Sequence, residues 1–212
     1  DTLYTLIRAL PYLSPDLQQR TKAYLQQEFT DYPPYSVAHI GWRDGAPRED
    51  FDVLPEVAAR MAGFGPLSIE WSNYWSYPQY IFYALWKYAE IFGDARAIFD
   101  QAKGRLQTPP SDSYFLSGYT HNLNGYIAGY IGYLELQKLA GYPESTGVRA
   151  QLDHLLDLRA TQFSKDHPDW PGYIGTYMGP LHISRNFMYL VPELADYLRV
   201  HALSKVQAAV DE

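Results

Sequence analysis

PQYIFYALWKYAEIFGDARAIFDQAKG, residues 78–104, decides the fold. Ile81, Ala84, Leu85, Tyr88, Ala89 and Phe92 recur at i, i+3 and i+4 spacing, the period of a helix with one apolar face. Gly93 then supplies a stop, because glycine accepts the left-handed backbone that closes a helix. Asp94 follows at once as a cap for a second helix, with Ala97, Ile98 and Ala102 inward and Gly104 ending it. Two helices joined by almost no loop form a helical hairpin.

The same grammar extends in both directions. Residues 121–140 read as the longest helix, closed by Gly141-Tyr142-Pro143. Gly125, Gly129 and Gly132 fall on one stripe of it, beside Tyr126, Tyr130 and Tyr133. Each glycine costs about 1 kcal/mol against alanine in a helix, so close approach of another helix is expected to offset it. A partner helix runs over residues 144–163 with Val148, Leu152, Leu155, Leu156 and Leu158. Upstream, Leu3, Ile7 and Leu10 form a short apolar stripe, and Ser14-Pro15-Asp16 reads as cap, first-turn proline and first-turn acid of another helix. Residues 31–55 and 166–184 lose the period and are rich in Pro and Gly, with a short helix over 55–62. The last helical region starts at Arg185, is interrupted at Pro192, resumes through Leu194, Tyr197, Leu198 and Val200, and frays from Ala208. No clean alternation of strand type is longer than about four residues. The expectation is an all-α chain, one domain over 1–212, of antiparallel helical hairpins whose long connections gather at one end around a cleft.

Composition narrows the function. Net charge is −7, and no cluster of Lys and Arg is present. A nucleic-acid surface needs concentrated cations, so no nucleic-acid partner is expected. No run reaches the roughly 18 apolar residues of a membrane span, so no membrane partner is expected either. Cysteine is absent, which removes disulfides, thiolate metal sites and a cysteine nucleophile. The chain shows no phosphate loop, no dinucleotide glycine fingerprint and no G-x-S-x-G elbow, and no cofactor or metal is expected. His167 beside Asp166 and Asp169 reads as part of a turn around Pro168. Aromatic residues make up 16% of the chain, with 20 Tyr. Rings with a polar tip suit surfaces that are half buried and half wet, such as sugar clefts and helix interfaces. The compartment stays open, with a secreted or periplasmic one favoured. The chain opens at Asp1 without Met or signal peptide, as a processed chain or a piece of a longer protein does.

Two segments resemble one family. Tyr83-Ala84-Leu85-Trp86-Lys87-Tyr88-Ala89-Glu90-Ile91-Phe92-Gly93-Asp94 resembles the helix end of the α/α toroid, six-hairpin carbohydrate-active enzymes. Asn124-Gly125-Tyr126-Ile127-Ala128-Gly129-Tyr130-Ile131-Gly132-Tyr133, running on to Leu139-Ala140-Gly141-Tyr142, resembles the inner-to-outer hairpin of that architecture. The superfamily holds glycoside hydrolases and polysaccharide lyases, so the resemblance implies a saccharide partner. Its motifs are packing and turn residues, which carry fold and not chemistry. A full toroid has six hairpins, and this chain supplies three to four. The resemblance therefore implies an incomplete or truncated toroid, with the remainder of a larger chain as a possible partner.

The chemistry-bearing groups fall into three sets. Tyr119, His121, Asn122 and Asn124 open the glycine-striped helix, where the positive end of the helix dipole favours an anion such as a uronate carboxylate. His182, Arg185, Asn186 and Tyr189 open the last helical region. Together they supply what eliminative cleavage of a uronic acid chain needs. Asn or Arg neutralises the carboxylate, His or Tyr removes the adjacent proton, and Tyr protonates the leaving oxygen. The plainer alternative is that His121 and Asn122 cap the helix and the tyrosines pack. The third set is aromatic: Trp71, Tyr74, Trp75 and Tyr77 offer faces for pyranose rings, with Trp42 as a cleft wall. Glu70 stands among those rings with almost no other charge, a setting that raises a carboxyl toward acid work in a glycoside hydrolase. His154 and His201 read as structural. The competing class is a non-catalytic helical scaffold. It differs by geometry, since a saccharide site requires the first two sets to converge.

Overall fold

A computed structural model describes residues 2–31, 33–35, 80–109, 120–163, 186–187 and 189–211. The described chain is all-α, with eight helices and no strand among the described residues. The short helix expected over 55–62 lies outside them. The chain divides into two compact units, Asp1–Pro78 and Gln79–Glu212.

In the first unit, α1 spans Thr2–Ala9, turns through a 3-10 segment Leu10–Tyr12, and leads into α2, Pro15–Asp31. The Ser14 carbonyl oxygen accepts the Gln18 amide at 2.8 Å, with Pro15 at the first helical position, as its fixed φ and missing N–H dictate. The Gln18 side chain donates to the Leu13 carbonyl at 2.9 Å and fixes the turn between the helices. Ile7, Leu10 and Leu25 are buried.

The second unit is built on its longest helix. Its helices are α3, Ile81–Phe92; α4, Ala95–Ala102; α5, Thr120–Leu139; α6, Thr146–Thr161; α7, Pro192–His201; and α8, Leu203–Asp211. Helix α5 packs against α3, α4, α6 and α7. It carries buried residues around most of its circumference, apolar ones along its middle and polar ones in its first turns. Helix α3 is buried more widely than its apolar period implies, since Phe82, Tyr83 and Trp86 join Ala84, Leu85, Tyr88 and Ala89 inside.

The glycine stripe finds its reason at Gly132. A methyl group there would collide with the backbone of Phe82 and Tyr83, so α3 and α5 touch main chain to main chain. The neighbouring Tyr133 ring fills the rest of that contact, edge-on to Phe82 at 5.3 Å and to Phe99 at 5.1 Å. The Tyr130 hydroxyl donates to the Gln107 carbonyl at 3.1 Å.

Helices α5 and α6 are antiparallel. Gln137, near the end of α5, accepts the Ser145 amide at 3.1 Å, while Asn124 near its start meets Arg159 near the end of α6. Helix α5 ends in a Schellman motif: Tyr142 N–H bonds the Gln137 carbonyl at 3.1 Å and Gly141 N–H bonds the Lys138 carbonyl at 3.0 Å. Gly141 sits at φ 79, where a side chain is strained. The motif delivers Tyr142 onto α4, where its hydroxyl bonds Asp100 at 2.9 Å and its ring lies against Phe99, Arg96 and Lys103.

Three expectations change. Asp94 is not a side-chain cap; it takes the left-handed conformation, φ 57, so that α4 can start immediately after Gly93. Pro192 begins α7 rather than interrupting a helix, since proline at the first position loses no intrahelical bond. Helix α8 continues to Asp211 instead of fraying from Ala208, and Lys205 ties it to α6 by donating to the Ala160 carbonyl at 3.1 Å.

Gly132→Ala is expected to lower stability by about 2 kcal/mol through overpacking, read as a fall in Tm. Gly147→Ala, with open space around it in α6, is expected to leave Tm unchanged or raise it. Asp100 is a separate test. The Lys103 ammonium, and after it the Tyr142 hydroxyl, hold its carboxyl below the ordinary 3.8. A lowered carboxylate stabilises the fold above its unfolded value, and that contribution fades as pH falls through the folded value. Tyr142→Phe is expected to move the Asp100 titration, followed by NMR, up toward 3.8.

Candidate functional site

One residue of each of the first two polar sets, Asn124 and Asn186, meets in a buried network where α5 begins and α6 ends. Thr120, His121, Asn122 and Asn124 come from the first turns of α5 and are at most 4% exposed, as is Asn186. The Asn124 side chain donates through Nδ2 to the Asn186 carbonyl at 3.0 Å. Thus a residue of the first set is bonded to the backbone of the second across 62 positions of chain.

The group that joins them is Arg159. Its Nε donates to Asn124 Oδ1 at 2.7 Å, its Nη2 to the Asn186 carbonyl at 2.8 Å, and its Nη1 to the Gln162 carbonyl. The Asn186 oxygen thereby uses both lone pairs. The Phe163 ring lies 4.5 Å from the guanidinium carbon. Arg159 is fully buried, and burial pushes its guanidinium down to about 10. It remains a cation at neutral pH. The three oxygens it meets are neutral, and it stands at the carbonyl end of α6, where the helix dipole favours positive charge.

Sequence reading missed Arg159, although the signal was present. It stands four residues after Leu155 and seven after Leu152, on the apolar stripe of α6. A charge at such a position is buried only if its donors are met inside.

Asn122 is not a helix cap. It is 3% exposed, and among the described residues neither its Nδ2 nor its Oδ1 has a hydrogen-bond partner. Tyr189 follows Asn186 with φ 58, a rare backbone for a bulky residue, and its ring centroid lies 5.0 Å from that of Tyr80. Burial pushes its phenol above the ordinary value. Tyr83 donates to Glu193 Oε2 at 2.9 Å and so ties α3 to the first turn of α7. His154 and His201 are exposed and stand outside the network.

Trp42, Glu70, Trp71, Tyr74, Trp75, Tyr77, Tyr119, His182 and Arg185 lie outside the described residues. Among the described residues, no group of three His, Asp or Glu side chains is placed to hold a metal ion, and no helix is long and apolar enough to cross a membrane. A groove of about 310 Å³ in the first unit is lined by Leu6, Leu17, Arg20, Thr21 and Tyr24. It offers no carboxylate or histidine for acid–base work.

No protein family, curated protein or solved structure matches the chain.

Arg159→Lys is expected to destabilise the chain by about 3 kcal/mol. A lysine keeps the buried charge but cannot reproduce the fork that meets three oxygens. Chemical denaturation reads the loss, and an unchanged midpoint would show that the fork contributes nothing.

Proposed function

We propose that this chain is a carbohydrate-handling domain of α/α toroid type that binds, and by extension cleaves, a polysaccharide. The observation that supports the reading is the 3.0 Å bond from the Asn124 side chain to the Asn186 carbonyl, which brings one residue of each polar set together. A saccharide site needs those sets together, and a chain that uses them only as separate caps does not. The two segments that resemble the toroid enzymes supply α3 and most of α5, which pack main chain to main chain at Gly132.

The residues divide their work in this reading. Asn124, Asn186 and Arg159 are positioning residues that fix the chain on either side. Tyr119, His121, His182 and Arg185 are the groups for proton transfer and charge neutralisation, and the rings of Trp71, Tyr74, Trp75 and Tyr77, with Trp42, carry the sugar. Acidic chains would be cleaved by elimination. Neutral chains would be cleaved by hydrolysis with Glu70 as acid.

The burial of His121, Asn124 and Asn186 favours a second reading, a non-catalytic helical scaffold whose polar groups serve packing alone. A panel of neutral and uronate polysaccharides separates the two. The full chain is expected to be retarded in affinity electrophoresis by at least one of them. Trp71→Ala and Trp75→Ala should each weaken that retardation about tenfold, the scale of a lost ring contact. Elimination would appear as ultraviolet-absorbing unsaturated ends and hydrolysis as new reducing ends, with His121→Ala abolishing the first and Glu70→Gln the second. Absence of retardation across the panel selects the scaffold.

A further inference from the structure

Leu17, Arg20, Thr21 and Tyr24 stand at i, i+3, i+4 and i+7 on α2, so one face of the helix carries them all. With Leu6 of α1 they line the groove of about 310 Å³ in the first unit, a volume at the low end for ligand clefts. Leu17 is 45% exposed and Tyr24 is 47% exposed, so the ring is open to a ligand. Arg20 is open to one as well. The carboxylate beside it, Asp16, stands at 4.0 Å, beyond hydrogen-bond length, and both side chains are exposed, so that pair contributes little. The described part of the first unit balances Arg8, Arg20 and Lys22 against Asp16, Glu28 and Asp31. The chain's net charge of −7 therefore does not fall on this groove.

The lining sets three demands on an occupant. Leu6, Leu17 and the Tyr24 ring call for a C–H surface. The hydroxyls of Thr21 and Tyr24 call for groups that donate and accept. The Arg20 guanidinium calls for an anion that accepts a pair of hydrogen bonds, as a carboxylate does. An aliphatic acid meets the first and third demands and leaves the hydroxyls to water. A neutral sugar meets the first two and leaves the guanidinium to water. A uronate brings a C–H face, hydroxyls and a carboxylate on one ring.

We propose that the α1/α2 groove is a binding subsite for a uronate unit of a polysaccharide, which it holds without cutting. Tyr24 stacks on the C–H face of the sugar, Arg20 pairs with its carboxylate and Thr21 meets a ring hydroxyl. No carboxylate or histidine lines the groove, so its work is binding alone. The inference rests on the carbohydrate reading above and names an acidic substrate class for it. Because Arg20 is exposed, its contact is modest and sensitive to salt, and the ring carries the larger share.

An NMR titration of the full chain with a galacturonate hexamer, its methyl ester and octanoate tests this. The ester keeps the ring and its hydroxyls and removes the charge. The acid is expected to shift the signals of Arg20, Thr21 and Tyr24 and to bind about fivefold tighter than the ester. That advantage should vanish in about 0.5 M salt. Arg20→Met should bring the acid down to the affinity of the ester and leave the ester unchanged. Tyr24→Ala should weaken both about tenfold. Both side chains are exposed, so neither substitution should lower Tm. Octanoate binding as tightly as the galacturonate hexamer overturns the inference in favour of a site for apolar acids. Galacturonate binding that shifts none of the three residues, or that survives both substitutions, overturns it and leaves the carbohydrate reading standing. So does failure of both hexamers while a neutral polysaccharide retards the chain. Failure of every saccharide overturns both.

Discussion

A guanidinium withdrawn from water must find oxygens for its N–H groups, because the charge cannot be shed at neutral pH. Arg159 finds them on three separate stretches of chain: the first turns of α5, the end of α6, and residue 186. Each partner is a neutral oxygen with a fixed position. The arginine therefore works as a geometric constraint more than as an ion pair. It sets where α6 ends relative to where α5 begins, and it fixes the chain that leads through Asn186 and Tyr189 into α7. The polar character of that end follows, since Asn124 and the Asn186 carbonyl are kept inside to meet Arg159.

The opposite requirement acts further along α5. There the helix is apolar and small, and Gly132 lets the backbone of α3 approach more closely than any side chain allows. Contact of this kind leaves no room for adjustment, so the rings of Phe82, Phe99 and Tyr133 lock around it. One helix thus carries two kinds of junction, a dry one at Gly132 and a polar one at Asn124. The dry junction gives the second unit its rigidity, and the polar one gives it an end with unmet hydrogen-bonding capacity.

Much of the helical layout was legible in the sequence, because each signal had a local cause. The apolar period of residues 81–92, the stop at Gly93 and the Gly141-Tyr142 closure all appear as helix ends at those places. The glycine stripe was read as a sign of close approach, and Gly132 makes one. The errors came from assigning a local role where backbone geometry decided. Asp94 looked like a cap but bends the chain, and Pro192 looked like an interruption but starts a helix. The candidate site was legible only in part. Asn124 and Asn186 were picked out as polar residues at helix starts, but the guanidinium that brings them together comes from a third segment. No local pattern announces a contact between residues 124, 159 and 186, because it exists only once three elements pack. The ring-rich segment around Trp71, the residues Tyr119, His182 and Arg185, and the wall residue Trp42 lie outside the described residues and remain expectations from sequence.

The account turns on Arg159 and Asn124 acting as one unit at the polar end of α5. A double-mutant cycle with Arg159→Met and Asn124→Leu measures this most directly, by comparing the stability of the two single variants with that of the pair. The account predicts a coupling of about 1.5–3 kcal/mol, the range for a buried hydrogen bond to a charged group. Losses that add to within about 0.5 kcal/mol would contradict it and would leave the polar end with no organising contact.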